Sequence, residues 1–477
     1  MKLFFKKNKK IIIIVACIIA VAIFLRFYGI ADFFPFANDE GRDMFIAESI
    51  VNGEVYPSLG APASTGDFFL GPFYYYFMAF ALLFWKHPAA PALLNAIFSV
   101  LTVPLLYLAG RALYSRAAGV VAAALFATSF IAVWFARWSW NPNLLPFIMA
   151  AVVFCLAKLS KKNAHGIYLV ALFAALAIAI QLHATAFLLI PAIIIFWAIW
   201  RPKISHWYYW PISLGAAIAV YLPWLLYELT HNFSNVRGAM DVLSGGESNF
   251  AWDRFGYIFE KISGEADKAL FGGLINEKTE WIIGIIIVAI AGLFVWRLIV
   301  RRHELNKANW FLIIISAFGI AFYALFSGKL FPHYFIFLLP ILILGTSVVL
   351  GELWRFRKYG KIIVIVLVLG LSITGIYATM TRYQSLADGT ASGEHGVAFR
   401  DQQAVVDVIV SEGEQEIKLI DQAKNHYDKA YKYLLKMQGV EVNEDATVQA
   451  TILRTSETKE IPVGAECFPT LCVIITK

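Results

Sequence analysis

Residues 166–200 read GIYLVALFAALAIAIQLHATAFLLIPAIIIFWAIW, and this stretch decides the fold class. As one helix at 1.5 Å per residue it would be about 52 Å long. The hydrocarbon of a bilayer is about 30 Å thick and takes roughly 17–25 apolar residues per crossing. One span is therefore too short for it, and the chain must turn. The only polar cluster, Gln181, His183 and Thr185, lies near the middle and marks the turn.

Working outward, apolar runs of similar character stand at 11–30, 89–110, 117–136, 144–157, 207–227, 281–296, 310–327, 334–352 and 362–381. With the pair from 166–200 they predict an α-helical polytopic membrane protein of about 11 spans. Composition agrees. The chain of 477 residues is 60% apolar and 15% charged, with a mean hydropathy of +0.67. Soluble proteins carry about 45–50% apolar and about 25% charged residues. A soluble enzyme and a nucleic-acid-binding module are excluded on these numbers, and the first partner is the lipid bilayer. The net charge of +7 divides unevenly along the chain. Residues 1–382 hold 31 basic against 18 acidic residues, and residues 383–477 hold 9 against 15. That split predicts a basic membrane domain, 1–382, and a mildly acidic extracytoplasmic tail domain, 383–477.

Lys and Arg set the direction of the spans. The loops 1–10, 111–116, 158–165, 201–206, 297–309 and 353–361 hold 20 basic residues, whereas 137–143, 182–184 and 328–333 hold only Arg137 and Lys329. The first set is read as cytoplasmic. The apolar run Phe68–Trp85 would invert every later loop if it crossed. Residues 68–86 are therefore read as a helix in the outer interface, within a first outer loop of 31–88. The N-terminal Lys6-Lys7-Asn8-Lys9-Lys10 and the run behind it read as an uncleaved first span, because the apolar stretch continues past any cleavage-like site. The expected location is the plasma (cytoplasmic) membrane, multi-pass, with the N-terminus cytoplasmic and the tail outside.

Polar residues collect on the outer side of this topology: Asn38 to Asp43, Arg137 to Asn143, Gln181 to Thr185, Tyr227-Glu228, and Lys329 with His333-Tyr334. Asp39 and Glu40 open a short amphipathic helix whose apolar face is Met44, Ala47, Ile50 and Val51, with a stop at Gly53. Asn38 or Asp39 suits a helix cap. Equally, a carboxylate at the water–lipid boundary suits a general base for an acceptor hydroxyl. Arg137, between aromatic residues, reads either as an interfacial anchor or as a guanidinium for phosphate. His183 reads as a hydrogen-bonded turn residue or a pocket residue. Lys329, His333 and Tyr334 together offer a positive charge and hydroxyl donors. No His/Cys/Asp cluster stands at ligand spacing, so no cofactor is called for, and a divalent metal stays open without support from the sequence.

The segments Asn38-Asp39-Glu40-Gly41, Gly110 to Arg116, Gln181 to Thr185, Pro223 to Leu229, and Pro332-His333-Tyr334 before Pro340 resemble the C-type-fold membrane glycosyltransferases. The relatives with these features are the protein O-mannosyltransferases and the lipid A aminoarabinose transferases. The resemblance covers residues 10–380 as architecture, through motifs that are each short. It implies transfer of a sugar from a polyprenyl-phosphate donor to a hydroxyl of a lipid, glycan or protein acceptor on the extracytoplasmic face, with inversion. It implies Asp39 as base with Glu40 assisting. Arg137, Lys329 and His333 would then meet the leaving phosphate, and His183, Tyr334 and Glu228 would line the substrate pocket. Two features depart from the pattern: Trp138–Asn143 lacks the acid that many relatives carry, and His333 stands where relatives often have Arg.

The outer loop 228–280, with Gly245-Gly246 and Gly272-Gly273, is long enough to be functional. The tail reads as a Gly/Ser/Thr-rich linker over 388–393, then helix 400–411, strand 416–421, helix 424–438 and strands near 446–454 and 470–476. The spacing of Tyr427, Tyr431 and Tyr433 favours a packed helix face over a glycan platform. Cys467 and Cys472, both outside, are suited to a disulfide. The alternative readings are a transporter or lipid-linked-glycan flippase, and a non-catalytic subunit displaying the tail. Transporters place ionisable residues near mid-bilayer in broken helices and repeat their halves. Here the spans are nearly free of charge and no repeat is visible, which favours chemistry at the surface.

Overall fold

The computed structural model describes residues 2–63, 67–244, 252–275, 279–300, 306–326, 328–391, 395–422, 427–457 and 461–477. Gly245-Gly246, Ser392 and Gly393 lie outside the described residues.

Among the described residues, eight helices are long and apolar enough to cross a bilayer, and nine if one bent pair counts as a single span. The expected eleven is not reached. The shortfall is the pair from 166–200, which forms the helices Ile167–Leu182 and Leu189–Trp200 joined by a 3-10 turn, Ala184–Leu188. The turn falls at His183 as the polar cluster requires, but it consumes chain and leaves each arm short. The run 68–86 forms Phe73–Phe84, whose 12 residues span about 18 Å at 1.5 Å per residue, too little to cross.

The bent pair is Arg116–Thr128 and Phe130–Ala136, inclined by 59° at Ser129. A break frees carbonyls that hydrocarbon cannot solvate. Arg26, at the end of the first helix (Lys2–Phe27), supplies the donors. Its guanidinium reaches Ala127 O at 2.9 Å and Phe126 O at 3.1 Å, while Nε donates to Ser99 Oγ at 2.8 Å. Arg137 closes the second half of the bent pair and does the converse. Its Nη1 donates to Arg26 O at 3.0 Å and Tyr28 O at 2.7 Å, and Nη2 donates to Gly29 O at 3.0 Å. The Arg137 guanidinium also lies 4.4 Å from the Tyr383 ring centre. Both arginine side chains are fully buried. Cations at helix C-termini are favoured by the exposed carbonyls there, and this pair clasps two helix ends together.

Among the described residues of 228–280 are two helices, Ser234–Ser244 and Trp252–Leu270. Glu228 caps the first: its Oε1 accepts from Asn235 Nδ2 at 2.7 Å and its Oε2 from the Val236 amide at 3.1 Å. Asn235 Oδ1 then accepts the Phe69 amide at 2.8 Å, tying this helix to the first loop.

The last membrane helix, Arg357–Ala387, runs on past the expected boundary at 382 and delivers the chain to the tail. There Phe399–Ser411 and Asp428–Met437 pack on a five-stranded mixed sheet. Its strands are β1 (Glu416–Asp421), β2 (Glu441–Val442), β3 (Gln449–Arg454), β4 (Glu466–Cys467) and β5 (Leu471–Thr476), in the order β2-β1-β3-β5-β4. β1 pairs parallel with β2 and β3, and β5 pairs antiparallel with β3 and β4. Period-two burial in β3 sends Ala450, Ile452 and Arg454 inward. Cys467 and Cys472 form a disulfide. Tyr427, Tyr431 and Tyr433 are buried, so the tyrosine helix is a packed face.

The tail rests on the first loop. Phe34 and Phe36 meet Phe399 with ring centroids 4.3 Å and 5.6 Å apart, and Gln402 Nε2 donates to Phe36 O at 2.9 Å. Replacing Arg137 with Met would leave three carbonyls at the end of the first helix without their donors, at about 1–3 kcal/mol for each unsatisfied group. The expected outcome is a large drop in melting temperature and yield of folded protein, read by fluorescence-detected chromatography. A wild-type melting temperature would refute the clasp.

Candidate active site

The helix Asn38–Val51 begins the site. Its first two turns sort their acids by environment. Glu40 turns inward and is buried: Oε2 accepts the Ala37 amide at 2.9 Å, and Oε1 accepts Trp138 Nε1. Asp43 is buried as well, and its Oδ1 accepts Arg42 Nε at 2.7 Å. Asp39 stays at the surface, with 48% of its side chain exposed, and Arg42 Nη1 donates to its Oδ1 at 2.8 Å. Positions i and i+3 share a helix face, which brings Arg42 alongside Asp39.

The opening turn is also held from above by the tail. Asn38 Oδ1 accepts the Lys429 amide at 2.8 Å. Gly41 lies against the same residue, and a Cβ added there would stand 2.5 Å from Lys429 C and O. Only glycine permits that approach. Farther along, Glu48 pairs with Lys436 at 3.3 Å.

A cleft of about 220 Å³ opens beside Asp39 and Arg42. Four distant segments supply its walls: Ala61–Ala63 with Leu70, Trp140-Asn141, His183–Thr185, and the pair Phe322 and Phe326 with His333-Tyr334. Local chemistry fixes each wall. Asn141 Nδ2 donates to Leu182 O at 2.5 Å, joining the second outer segment to the turn. Gln181 Oε1 accepts the Phe73 amide at 3.2 Å, and its Nε2 donates to Val220 O at 3.0 Å. That side chain caps the aromatic helix Phe73–Phe84 and anchors the turn. His183 Nδ1 accepts the Thr185 amide at 3.2 Å. Tyr323 donates its hydroxyl proton to Tyr334 O, which fixes the late segment.

The residues singled out in the sequence are therefore divided. Asp39, His183, His333 and Tyr334 meet in one cleft. Glu40, Arg137 and Glu228 are not among the cleft-lining residues; Glu40 bonds the Ala37 amide and Trp138, Arg137 bonds three backbone carbonyls, and Glu228 bonds Asn235 and the Val236 amide. Lys329 is exposed, its Nζ 5.4 Å from the Phe331 ring centre, and does not line the cleft. Arg42 is the cation that does line it. The i+3 spacing from Asp39 was the available signal. Trp140 and Asn141 had no such signal, because neither pairs locally with another site residue.

Burial, with the Asp39 charge beside it, pushes the Glu40 carboxyl up to about 8 against the pull of its hydrogen bonds. Burial likewise pushes Asp43 up to about 6 in spite of Arg42. An acid whose folded pKa is raised holds its proton in the native state after the unfolded chain has lost it. Stability from Glu40 is thus full below about pH 4.5 and is lost as pH rises towards 8. Melting temperature is expected to fall from pH 5 to pH 8, and Glu40→Gln should flatten that fall. An unchanged slope in the variant would exclude Glu40 as its source.

Residues 70–227 match the family model for dolichyl-phosphate-mannose-protein mannosyltransferase. No curated protein matches the chain in sequence. In structure the chain is similar to ArnT from Cupriavidus metallidurans bound to undecaprenyl phosphate, at 12% identity over 98% of each chain with a TM-score of 0.61. It is also similar to the archaeal oligosaccharyltransferase AglB from Archaeoglobus fulgidus in complex with an inhibitory peptide and a dolichol-phosphate. That likeness has 12% identity, covers 90% of this chain and 64% of the other, and has a TM-score of 0.52. At these identities the likeness is one of fold. The chain thus carries a segment that matches this family model, within a fold similar to that of these two enzymes.

Proposed function

We propose that the protein transfers a sugar from a polyprenyl-phosphate donor to a hydroxyl acceptor at the outer face of the plasma membrane. The observation that carries this reading is the single cleft where Asp39 and Arg42 stand side by side against uncharged polar and aromatic walls. Asp39 acts as the general base. Its carboxylate takes the proton of the acceptor hydroxyl as the oxygen attacks the anomeric carbon, and the bond to the phosphate oxygen breaks with inversion. Arg42 meets the phosphate that leaves. Its Nε and Nη1 are engaged by Asp43 and Asp39, which orients the guanidinium, and a cation fixed in advance stabilises developing negative charge without reorganising. This role passes to Arg42 from Arg137, which does not line the cleft and whose Nη1 and Nη2 bond helix-end carbonyls. Glu40 supports the site by holding Trp138 and the start of its own helix.

The acceptor approaches from the tail side and the donor lipid from between the membrane helices, with the N-terminus cytoplasmic and residues 383–477 outside. The lipid product common to all such donors is polyprenyl phosphate, so its binding tests the reading without knowledge of the sugar. A ligand held by the native state stabilises it by RT ln(1 + [L]/Kd), about 2.7 kcal/mol at a hundredfold excess over Kd. Detergent-purified protein should melt higher with polyprenyl phosphate and not with the polyprenol. Arg42→Gln should lose that shift, whereas Asp39→Asn should keep it while abolishing transfer. No shift at saturating lipid would remove the donor reading. For the topology, a cysteine at exposed Glu444 should react with an impermeant reagent from outside, and labelling only after lysis would reverse the orientation.

A further inference from the structure

Arg42 is shared between two carboxylates that differ in their access to water. Its Nε donates to Asp43 Oδ1 at 2.7 Å, and its Nη1 donates to Asp39 Oδ1 at 2.8 Å. The Asp43 side chain is 1% exposed and the Asp39 side chain 48%. Distance does not separate the two bonds, but burial does.

An ion pair with a buried member is costly to break, because the charge left behind has no water to turn to. An ion pair at the surface is screened, and water replaces either member at little cost. The Asp43 bond therefore holds the guanidinium in place, and the Asp39 bond is the one open to exchange. Position in the helix agrees with this division. Asp43 stands next to Arg42 in the second turn of Asn38–Val51, with the buried Tyr75 beside it. Asp39 opens the helix on the cleft wall.

The shape of the guanidinium adds a second constraint. Its donors form a planar fork, which meets an anion along the Nε side or at the end that carries the two terminal nitrogens. With Nε taken by Asp43, a phosphate in the cleft is left the end. Nη1, at that end, is the atom that bonds Asp39. A phosphate arriving there comes up against the Asp39 carboxylate. Two anions on one end of a cation repel, and the more loosely held one gives way. Once released, the carboxylate can turn to a hydroxyl.

We infer that Arg42 exchanges partners when the donor lipid binds: Asp43 keeps the guanidinium as its positioning residue, the phosphate takes the end that bonded Asp39, and Asp39 is released towards the acceptor. This rests on the roles proposed above for Asp39 and Arg42. It adds a role for Asp43 and an order, donor before acceptor. The exchange is complete before the chemical step, so the guanidinium is already fixed when negative charge develops.

The two acids then act on lipid binding in opposite directions. The measurement is the Kd of polyprenyl phosphate for the full-length protein in detergent. It is made at about pH 7.5, above the value of about 6 to which burial pushes Asp43. Asp39→Asn removes the competing anion and should bind the lipid about two- to fivefold tighter than wild type, matching the strength of an exposed ion pair. Asp43→Asn removes the tether and should bind it about two- to tenfold weaker, because the guanidinium must then be ordered on binding. Loss of a negative charge acting by itself would tighten both. Tighter binding by both variants therefore overturns the exchange. So does an Asp39→Asn protein that binds no tighter than wild type, or an Asp43→Asn protein with unchanged affinity. Should Asp43→Asn not fold, a double substitution decides. Adding Asp39→Asn to Arg42→Gln should leave the affinity where Arg42→Gln alone puts it, and a gain there is charge alone and overturns the exchange. Wild-type protein that does not bind polyprenyl phosphate at all removes the donor reading and the exchange with it.

Discussion

Two buried guanidiniums hold the membrane domain in register. Arg26 bonds the carbonyls freed where the helix Arg116–Ala136 breaks, and Arg137 bonds the carbonyls where the first helix ends. Both guanidiniums are buried away from water, so their Nη groups and these carbonyls bond one another. The clasp fixes Gly29, from which the first loop departs, and Trp138, which follows Arg137 directly. Trp138 Nε1 then holds Glu40, one residue from Asp39. The position of the exposed carboxylate is thus traceable to two arginines far from the cleft.

The tail completes the same construction from the other side. It donates a backbone amide to Asn38, a side-chain amide to Phe36 O, and an aromatic ring between Phe34 and Phe36. Gly41 lets the two backbones touch. The Asp39 helix is therefore gripped between tryptophan below and the tail above. A base must sit within hydrogen-bond reach of the proton it takes, and a loop helix with one free face would not be held to that tolerance.

Electrostatics follow from the same burial. Of the three acids in the first two turns, Glu40 and Asp43 are withdrawn from water and held towards their neutral forms, whereas Asp39 remains on the cleft wall.

The sequence by itself determined the membrane architecture, the turn at His183, the non-crossing aromatic helix and the order of elements in the tail. These depend on hydrophobic period and length, which are local quantities. It also marked Asp39, His183, His333 and Tyr334, because polar residues at span ends are conspicuous against an apolar background. The number of full spans and the hydrogen-bond partners of Arg137, Glu40 and Glu228 were decided by the tertiary structure alone. Arginine at a span end has the same sequence signature whether it meets a phosphate or three carbonyls, and the difference lies in which backbone groups the fold brings within 3 Å. Arg42 shows the converse. Its pairing with Asp39 is local, but only the packing of four distant segments around that pair makes it the wall of a cleft.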